Sequence, residues 1–339
     1  MSVRKIINYM NIFYAWQVRK SLSPSYVPED ISIEATNTCN FRCSFCPQSD
    51  PKHHEIVPRT YLEPERAESI FKKIREGGVS TDTLHWTLDG EPFMNKKFAE
   101  LCGIAIKYNF TNMYFATNGL LLSEDRLGQL PVGGKVRYTF TIDYCADQEY
   151  FEDVRGNRQS WKAIYDNIQS SLRNESHSNI FFVLSDITTY KTLDPTITNA
   201  EFDKLKNLFA GYESRIKFYS KTFHNAAGLT SKLVKTSSEK RYHLCPYPWT
   251  SLVIASSGDV VACCRDLRRQ TVLGNILQQS LREIWRGAAA QELRKNLVAQ
   301  TPWKSAACDG CDMPYDDAKF SLKNLVRTAR GRLQILRGG

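Results

Sequence analysis

The sequence lacks a long apolar run, and none of its segments approaches the roughly 20 consecutive apolar residues of a membrane-spanning helix. It also lacks an N-terminal apolar stretch followed by a small-residue cleavage site, as found in secretory signal peptides. We therefore expect a cytoplasmic protein. Of its 339 residues, 42% are hydrophobic and 24% are charged, so the chain can bury a full-sized core.

Both ends of the chain lack acidic residues. Residues 1–27 contain four basic side chains and residues 318–339 contain six, with no acid in either segment. The 290 residues between them hold 35 basic and 36 acidic side chains, so the body is nearly neutral. Nucleic-acid enzymes place positive charge around the active cleft, so we expect no nucleic-acid partner. The basic, partly apolar ends are instead compatible with a peripheral contact at a membrane surface.

Strand-like and helix-like segments alternate over the first two thirds of the chain. Apolar patterns predict strands near residues 31–36, 83–88, 112–117, 137–143, 180–185 and 216–221. They predict helices near residues 63–76, 96–108, 158–172 and 199–209. This alternation indicates an α/β fold with a parallel sheet, closed or partly closed, whose chemistry lies on the loops after the strands.

These patterns divide the chain into four parts. Residues 1–28 are predicted to form a basic amphipathic helix and a Ser- and Pro-rich linker, and residues 29–225 the α/β domain. Residues 226–317 contain a hairpin signal and two helical stretches, which indicates a small α+β domain. Residues 318–339 are a basic tail.

The ten cysteines favour metal or redox chemistry over disulfides in a chain that is not expected to be exported. Cys39, Cys43 and Cys46 form a C-x3-C-x2-C run after the first predicted strand. Three thiolates on one loop can ligate three irons of a [4Fe-4S] cluster and leave the fourth iron open. A zinc loop is the alternative, although it usually needs a fourth ligand at finger spacing, and His53 and His54 lie seven and eight residues further on.

A second group comprises Cys245, Cys263, Cys308 and Cys311. Four thiolates from a loop, a hairpin and a C-x2-C knuckle suit either a fully ligated [4Fe-4S] cluster or a structural zinc, and spacing alone does not separate the two. Cys264 is expected to be a bystander, because it alternates away from Cys263 along a strand.

The first cysteine run resembles the signature of the radical S-adenosylmethionine (SAM) superfamily, and further motifs follow at the ends of successive predicted strands. The segment Asp89-Gly90-Glu91-Pro92 resembles the family's G-G-E-P motif, with Asp89 in place of the first glycine. Residues 117–119 match its T-N-G motif, residues 141–143 resemble its S-x-D motif, and Arg155 stands where an arginine often meets the SAM carboxylate.

This resemblance implies a partial (β/α)6 barrel and a SAM-binding [4Fe-4S] cluster on Cys39, Cys43 and Cys46. The residues that it places near SAM are Phe45, Gly90, Glu91, Asn118, Thr141, Asp143 and Arg155. The sequence around the second cysteine group resembles the SPASM family of C-terminal extensions, in the shortened "twitch" form with one cluster. That resemblance implies an auxiliary [4Fe-4S] cluster on Cys245, Cys263, Cys308 and Cys311.

The resemblance also implies a reaction type. The family generates a 5′-deoxyadenosyl radical that removes a hydrogen atom from its substrate, and twitch-containing members oxidise a secondary alcohol of an aminocyclitol. We therefore expect a dehydrogenase that acts on a small molecule such as a sugar or cyclitol. It would pass an electron to the auxiliary cluster and receive electrons from an external donor such as flavodoxin or ferredoxin. The alternative is a peptide-modifying enzyme or an epimerase.

The residues that meet the substrate are left open by the sequence. A side chain must take the hydroxyl proton, and the candidates are Asp143, Tyr144, Arg158 and His224. Cys145 is a candidate hydrogen-atom donor, the role that an epimerase would need. A non-catalytic iron or zinc module is the remaining alternative, but such a module has no need of the motifs at the strand ends.

Overall fold

A single nine-stranded sheet organises the part of the chain that the computed structural model describes, residues 10–221 and 242–315. Its strands are β1 (Asp30–Ile33), β2 (Thr83–Trp86), β3 (Asn112–Ala116), β4 (Arg137–Tyr144), β5 (Ile180–Asp186), β6 (Ile216–Ser220), β7 (Ser251–Ile254), β8 (Asp259–Val261) and β9 (Val272–Asn275). They follow the order β6-β5-β4-β3-β2-β1-β7-β8-β9. Strands β1 to β6 pair in parallel, each with the next, which confirms the α/β fold of the partial (β/α)6 type.

Helices connect the strands. The described helices are α1 (residues 10–18, ending in the π turn Tyr14–Val18), α2 (His53–Ile56), α3 (Pro64–Glu76), α4 (Phe98–Lys107), α5 (Glu124–Gly128), α6 (Gln148–Arg155), α7 (Ser160–Arg173), α8 (Pro195–Asn207), α9 (Tyr247–Thr250), α10 (Leu281–Arg286) and α11 (Ala288–Val298). The structure confirms the four helices predicted between the strands, which are α3, α4, α7 and α8. It adds α2, α5 and α6, which are too short to produce a clear helical period.

Amphipathic spacing explains how the helices cover the sheet. In α3 the buried side chains include Ala67, Ile70, Phe71 and Ile74, which recur three or four positions apart and therefore share one face. The Phe71 ring meets the ring of Trp86 on β2 edge-on, with centroids 6.1 Å apart. Fully burying one such side chain stabilises the fold by roughly 1.5–3 kcal/mol.

The sheet continues across the predicted domain boundary at residues 225 and 226. Strand β7 pairs in parallel with β1, with Asp30 opposite Ser251, and β8 and β9 follow as antiparallel strands. The predicted hairpin is therefore present, with β9 as an additional strand. The C-terminal segment thus extends the sheet of the α/β domain.

The predicted linker is held firmly against the C-terminal segment. The indole nitrogen of Trp249 donates to the Ser21 carbonyl at 2.7 Å, and the Tyr26 hydroxyl donates back to the Trp249 carbonyl at 2.7 Å. Arg286 donates to the carbonyls of Pro24 and Ser25. These bonds explain why a Ser- and Pro-rich segment takes one defined path.

Some predictions lie outside the described residues. They concern His224, the start of the N-terminal helix before residue 10 and the basic tail 318–339. Within the two described ranges, no helix is long and apolar enough to cross a membrane.

Candidate active site

The three-cysteine loop directly follows β1. Cys43 is buried, whereas Cys39 and Cys46 are half-buried. The backbone N–H of Phe41 donates to the Cys39 sulfur at 3.4 Å. Burial, with a smaller contribution from Glu91, raises the pKa of the Cys39 thiol to about 12. The thiol therefore stays protonated at neutral pH until a metal displaces the proton, as expected of a ligand in a low-dielectric pocket.

The Glu91 loop lies against the cysteine loop and connects it to β3. The Glu91 backbone N–H donates to the Thr38 carbonyl at 2.9 Å. Its buried carboxylate accepts hydrogen bonds from the Thr117 hydroxyl at 2.7 Å and the Asn118 backbone N–H at 2.6 Å. Burial raises the pKa of Glu91, and these donors oppose that effect. The Asn118 amide also donates to the Asn40 side chain at 2.7 Å, so the second and third strand ends both reach the cysteine loop.

Two glycines allow the chain to approach this loop closely. Gly90 has φ +73°, and a Cβ there would lie 2.4 Å from the Thr36 carbonyl oxygen. Gly156 has φ +62°, and a Cβ there would lie 2.4 Å from the Arg42 carbonyl oxygen. Any side chain at either position would push the cysteine loop away.

Asp89, which replaces a family glycine, has its own buried partners. Its Oδ1 accepts hydrogen bonds from the Gln48 amide at 2.8 Å and the Gly90 N–H at 2.9 Å. Its Oδ2 lies 2.7 Å from Nε2 of the fully buried His53. Sequence reasoning considered His53 only as a zinc ligand and missed this pair. The sequence signal was an acidic residue at a position where the family has glycine. Its histidine partner lies 36 residues earlier in the chain.

A charged group lies at the carboxyl ends of β4 and β6. The Lys221 ammonium contacts both Asp143 oxygens at 2.6 Å, and Nη1 of the buried Arg155 lies 3.7 Å from Asp143 Oδ2. Thr141 stands two positions before Asp143 and therefore faces the same side of β4. The Arg155 guanidinium lies 5.8 Å from the Phe45 ring centroid. Sequence reasoning missed Lys221, although it follows β6 directly, at the end where the chemistry was expected.

The site offers an anion contact of the kind that a SAM carboxylate requires. Arg155 Nε is buried and has no hydrogen-bond partner among the described residues. Together with the three thiols, this orphaned donor fits a [4Fe-4S] cluster and SAM. Cys39, Cys43 and Cys46 would hold the cluster, and Arg155 would hold the carboxylate.

The other candidates on the substrate side do not join this group. The buried Tyr144 hydroxyl donates to the Trp161 carbonyl at 2.8 Å. Cys145 is completely buried, and its thiol donates to the Asp147 carbonyl at 3.4 Å, so its sulfur does not open to a substrate. Arg158 is exposed in the turn before α7. Of the three proton-acceptor candidates that the structure describes, Asp143 alone lies at the site. The fourth candidate, His224, lies outside the described residues.

The second cysteine group gathers in the C-terminal segment. Burial and the neighbouring Cys311 raise the pKa of the Cys308 thiol to about 12. Burial also raises the pKa of the Cys245 thiol, with smaller contributions from Cys311 and Cys308. The Arg265 N–H donates to the Cys263 sulfur at 3.4 Å. Cys264 instead interacts with the Tyr247 hydroxyl. Cys245, Cys263, Cys308 and Cys311 are the four thiols that would hold a fully ligated cluster, with Cys264 next to Cys263.

Fold and site together place three cysteines on the loop after the first strand of a parallel sheet, and a second group of cysteines in the C-terminal segment. The sequence model of the radical SAM superfamily matches residues 33–198, and that of the SPASM iron-sulfur cluster-binding domain matches residues 245–312. The chain belongs to the radical SAM superfamily and carries a C-terminal SPASM domain. Its cofactors are SAM, the SAM-binding [4Fe-4S] cluster and an auxiliary [4Fe-4S] cluster.

Individual relatives are distant. The chain is 22% identical to the S-adenosyl-L-methionine-dependent 2-deoxy-scyllo-inosamine dehydrogenase of Niallia circulans, over 83% of this chain and 92% of that protein. It is 30% identical to the sporulation killing factor maturation protein SkfB of Bacillus subtilis, over 41% of this chain and 31% of SkfB. The crystal structure of BtrN in complex with AdoMet and 2-DOIA superposes with a TM-score of 0.58 at 19% identity, over 85% of this chain and 94% of that one. That likeness confirms the fold.

Proposed function

We propose that this enzyme oxidises a secondary alcohol of a sugar, cyclitol or aminocyclitol to a carbonyl. One observation carries the proposal: the similarity to 2-deoxy-scyllo-inosamine dehydrogenase spans both domains and nearly the whole of that relative. The SkfB match, in contrast, covers less than half of this chain. Four of the five cysteines of the C-terminal domain, Cys264 being the fifth, also suit a single, fully ligated cluster with a role in electron transfer.

The reaction needs a radical, a proton acceptor and an electron acceptor. When bound, the cofactors supply a 5′-deoxyadenosyl radical that removes the carbinol hydrogen atom, and an auxiliary cluster that takes the remaining electron. The hydroxyl proton is left for the protein. Reductive cleavage of SAM consumes one electron, so an external one-electron donor such as flavodoxin or ferredoxin would be needed.

We infer that Asp143 takes that proton. Its carboxylate lies at the end of β4 beside Arg155, and the Lys221 ammonium, at 2.6 Å from both oxygens, fixes its orientation. Arg155 and Phe45 border the same group, so a substrate hydroxyl that reaches Asp143 would lie close to the SAM site. The Asp143 carboxylate offers the substrate hydroxyl a hydrogen-bond acceptor, and it would receive the proton as the carbonyl forms.

The test is anaerobic turnover with candidate polyols, followed by mass spectrometry. A substrate deuterated at the carbinol carbon should transfer one deuterium to 5′-deoxyadenosine and yield a product with two hydrogens fewer. Asp143→Asn should lower product formation by about 10²–10⁴-fold. Asp166→Asn, which changes an exposed carboxylate paired with Lys162, is the matched control and should retain activity.

A product of equal mass that carries one solvent-derived hydrogen would contradict the dehydrogenase and support an epimerase. Modification of a peptide would support the maturase alternative, for which the local similarity to SkfB is the supporting observation.

A further inference from the structure

The N-terminal helix α1 has one face inside the protein and one face outside. Ile12, Ala15 and Trp16 are buried, and the Trp16 indole nitrogen donates to the Leu244 carbonyl at 3.1 Å. On the opposite side, four large apolar residues are exposed: Met10 (66%), Phe13 (40%), Tyr14 (52%) and Val18 (59%). We call these four residues the outer face of α1. They account for one third of the twelve exposed large apolar residues in the described ranges, which makes them a patch rather than scattered exposure.

Positive charge adjoins this patch. Arg19 and Lys20 follow the outer face directly and are exposed. Arg4 and Lys5 precede it in the sequence, and the first acidic residue of the chain is Glu29. An apolar helix face followed directly by two exposed basic residues has the composition of a helix that lies in the headgroup region of an anionic bilayer.

The last described residues of the chain lie near the inner face of α1. Trp16 on the inner face of α1 belongs to a small apolar cluster that also contains Met313 and the auxiliary ligand Cys245. Tyr315, the last described residue, packs against Tyr242, with ring centroids 5.7 Å apart. Residues 318–339, with six basic residues and no acid, begin only a few residues after Tyr315 in the sequence.

We propose that the outer face of α1, with the exposed Arg19 and Lys20 beside it, is a docking surface for an anionic lipid bilayer. Four exposed apolar side chains would enter the interface, and the basic side chains would contact the lipid phosphates. A nucleic acid would offer anionic groups to the basic side chains but would leave the apolar outer face in water. An anionic bilayer offers phosphates to the basic side chains and an apolar environment to the outer face.

The test is co-sedimentation of the reconstituted full-length protein with vesicles of phosphatidylcholine, with or without phosphatidylglycerol. Binding should require phosphatidylglycerol and should weaken at high salt, because the Debye length falls from about 10 Å at 0.1 M to about 3 Å at 1 M. The triple variant Met10→Ser, Tyr14→Ser, Val18→Ser should bind about tenfold more weakly. Its fold should persist, because all three side chains are more than half exposed.

A matched triple variant elsewhere on the surface controls for lost apolar area. Val132, Leu193 and Ile197 are similarly exposed, and changing all three to Ser should leave vesicle binding unchanged. Failure to sediment with anionic vesicles at low salt would overturn the proposal, and so would equal binding by the α1 variant. A stable dimer in light scattering that the α1 variant dissociates, without lipid binding, would assign the face to a second copy of the chain instead.

Discussion

Lys221 neutralises the Asp143 carboxylate at the carboxyl end of the barrel. The two residues are 78 positions apart in sequence, and only the parallel pairing of β4, β5 and β6 brings their ends together. The two contacts with Lys221 hold the Asp143 carboxylate in one orientation. Without Lys221, the carboxylate would lose both 2.6 Å contacts and keep the longer contact with Arg155, at 3.7 Å.

Removing Lys221 should therefore impair turnover more than folding. We expect Lys221→Met to lower kcat/KM by about 10–100-fold, and Lys221→Arg to restore part of the loss, because a cation would again face the carboxylate. Lys162→Met, at an exposed ion pair on α7, should have no effect. Measurement of kcat and KM by product mass spectrometry checks this, and unchanged values in Lys221→Met would exclude the assigned role.

The Asp89 and His53 side chains should be energetically coupled. Asp89→Gly leaves the buried His53 without its 2.7 Å partner, and His53→Ala leaves one carboxylate oxygen unpaired. Each change should destabilise the protein by about 1–3 kcal/mol, and the double variant should lose less than the sum of the two. Thermal unfolding of the reconstituted variants measures this. Strictly additive shifts in Tm would show that the pair does not interact.

At the scale of single residues, the sequence indicated the residues that stand in motifs. It did not indicate the side chains that bond to them. Glu91 and Asn118 stand in recognisable local motifs after successive strands, and Arg155 is the last residue of α6. The sequence showed Asp89 only as a departure from the family's glycine, whereas in the structure Gln48 and His53 bond to it. Side-chain pairs between separate loops leave no local pattern, so they need the structure.

Among the elements, the segment of residues 21–28 is held by a buried arginine in addition to the hydrogen bonds of Trp249, Tyr26 and Arg286. Arg294 on α11 donates to the carbonyls of Leu22 and Pro248 at 2.9 Å and of Trp285 at 2.8 Å. Burial lowers the pKa of this guanidinium to about 10, and Tyr26 opposes the effect. One side chain thus joins the N-terminal segment, the region around α9 and the helix α10.

Arg294→Met should destabilise the C-terminal domain strongly, because it leaves three carbonyls without their donor. We expect a loss of roughly 3 kcal/mol or more, with Arg294→Lys intermediate. Arg282→Met, at an exposed position on α10, is the control and should change stability little. Urea unfolding followed by circular dichroism measures the difference. Equal stability of Arg294→Met and wild type would contradict the role.

Strands and long helices with a clear apolar repeat were predicted from the sequence, whereas the short helices α2, α5 and α6 were not. The six parallel strands and the four long helices follow from apolar repeats that persist for several turns or alternations. Helix α6 has eight residues and is specified by its ends, with the Asp147 side chain accepting from the Tyr150 N–H and Gly156 in the left-handed conformation. Such capping acts through single residues, which makes the element hard to distinguish from a turn.

For the whole molecule, metal content is the most direct check. The reconstituted protein should contain about eight irons, from two four-iron clusters. Changing Cys39, Cys43 and Cys46 together to Ala should leave about four irons and abolish SAM cleavage. Changing Cys308 and Cys311 to Ala should remove the other four and spare the first cluster. Elemental analysis that finds about four irons and one zinc in the wild type would contradict the second cluster.

The pairing of β1 with β7 has a consequence for synthesis of the chain. Asp30 and Ser251 are neighbours in the sheet but are 221 residues apart in sequence. At about 5–20 residues per second, a ribosome needs roughly 10–45 s to supply the second strand after the first. During that interval one edge of β1 has no partner, and unpaired strand edges readily join other chains. A nascent chain that stalls before β7 should therefore aggregate, even though every strand of the barrel has already been made.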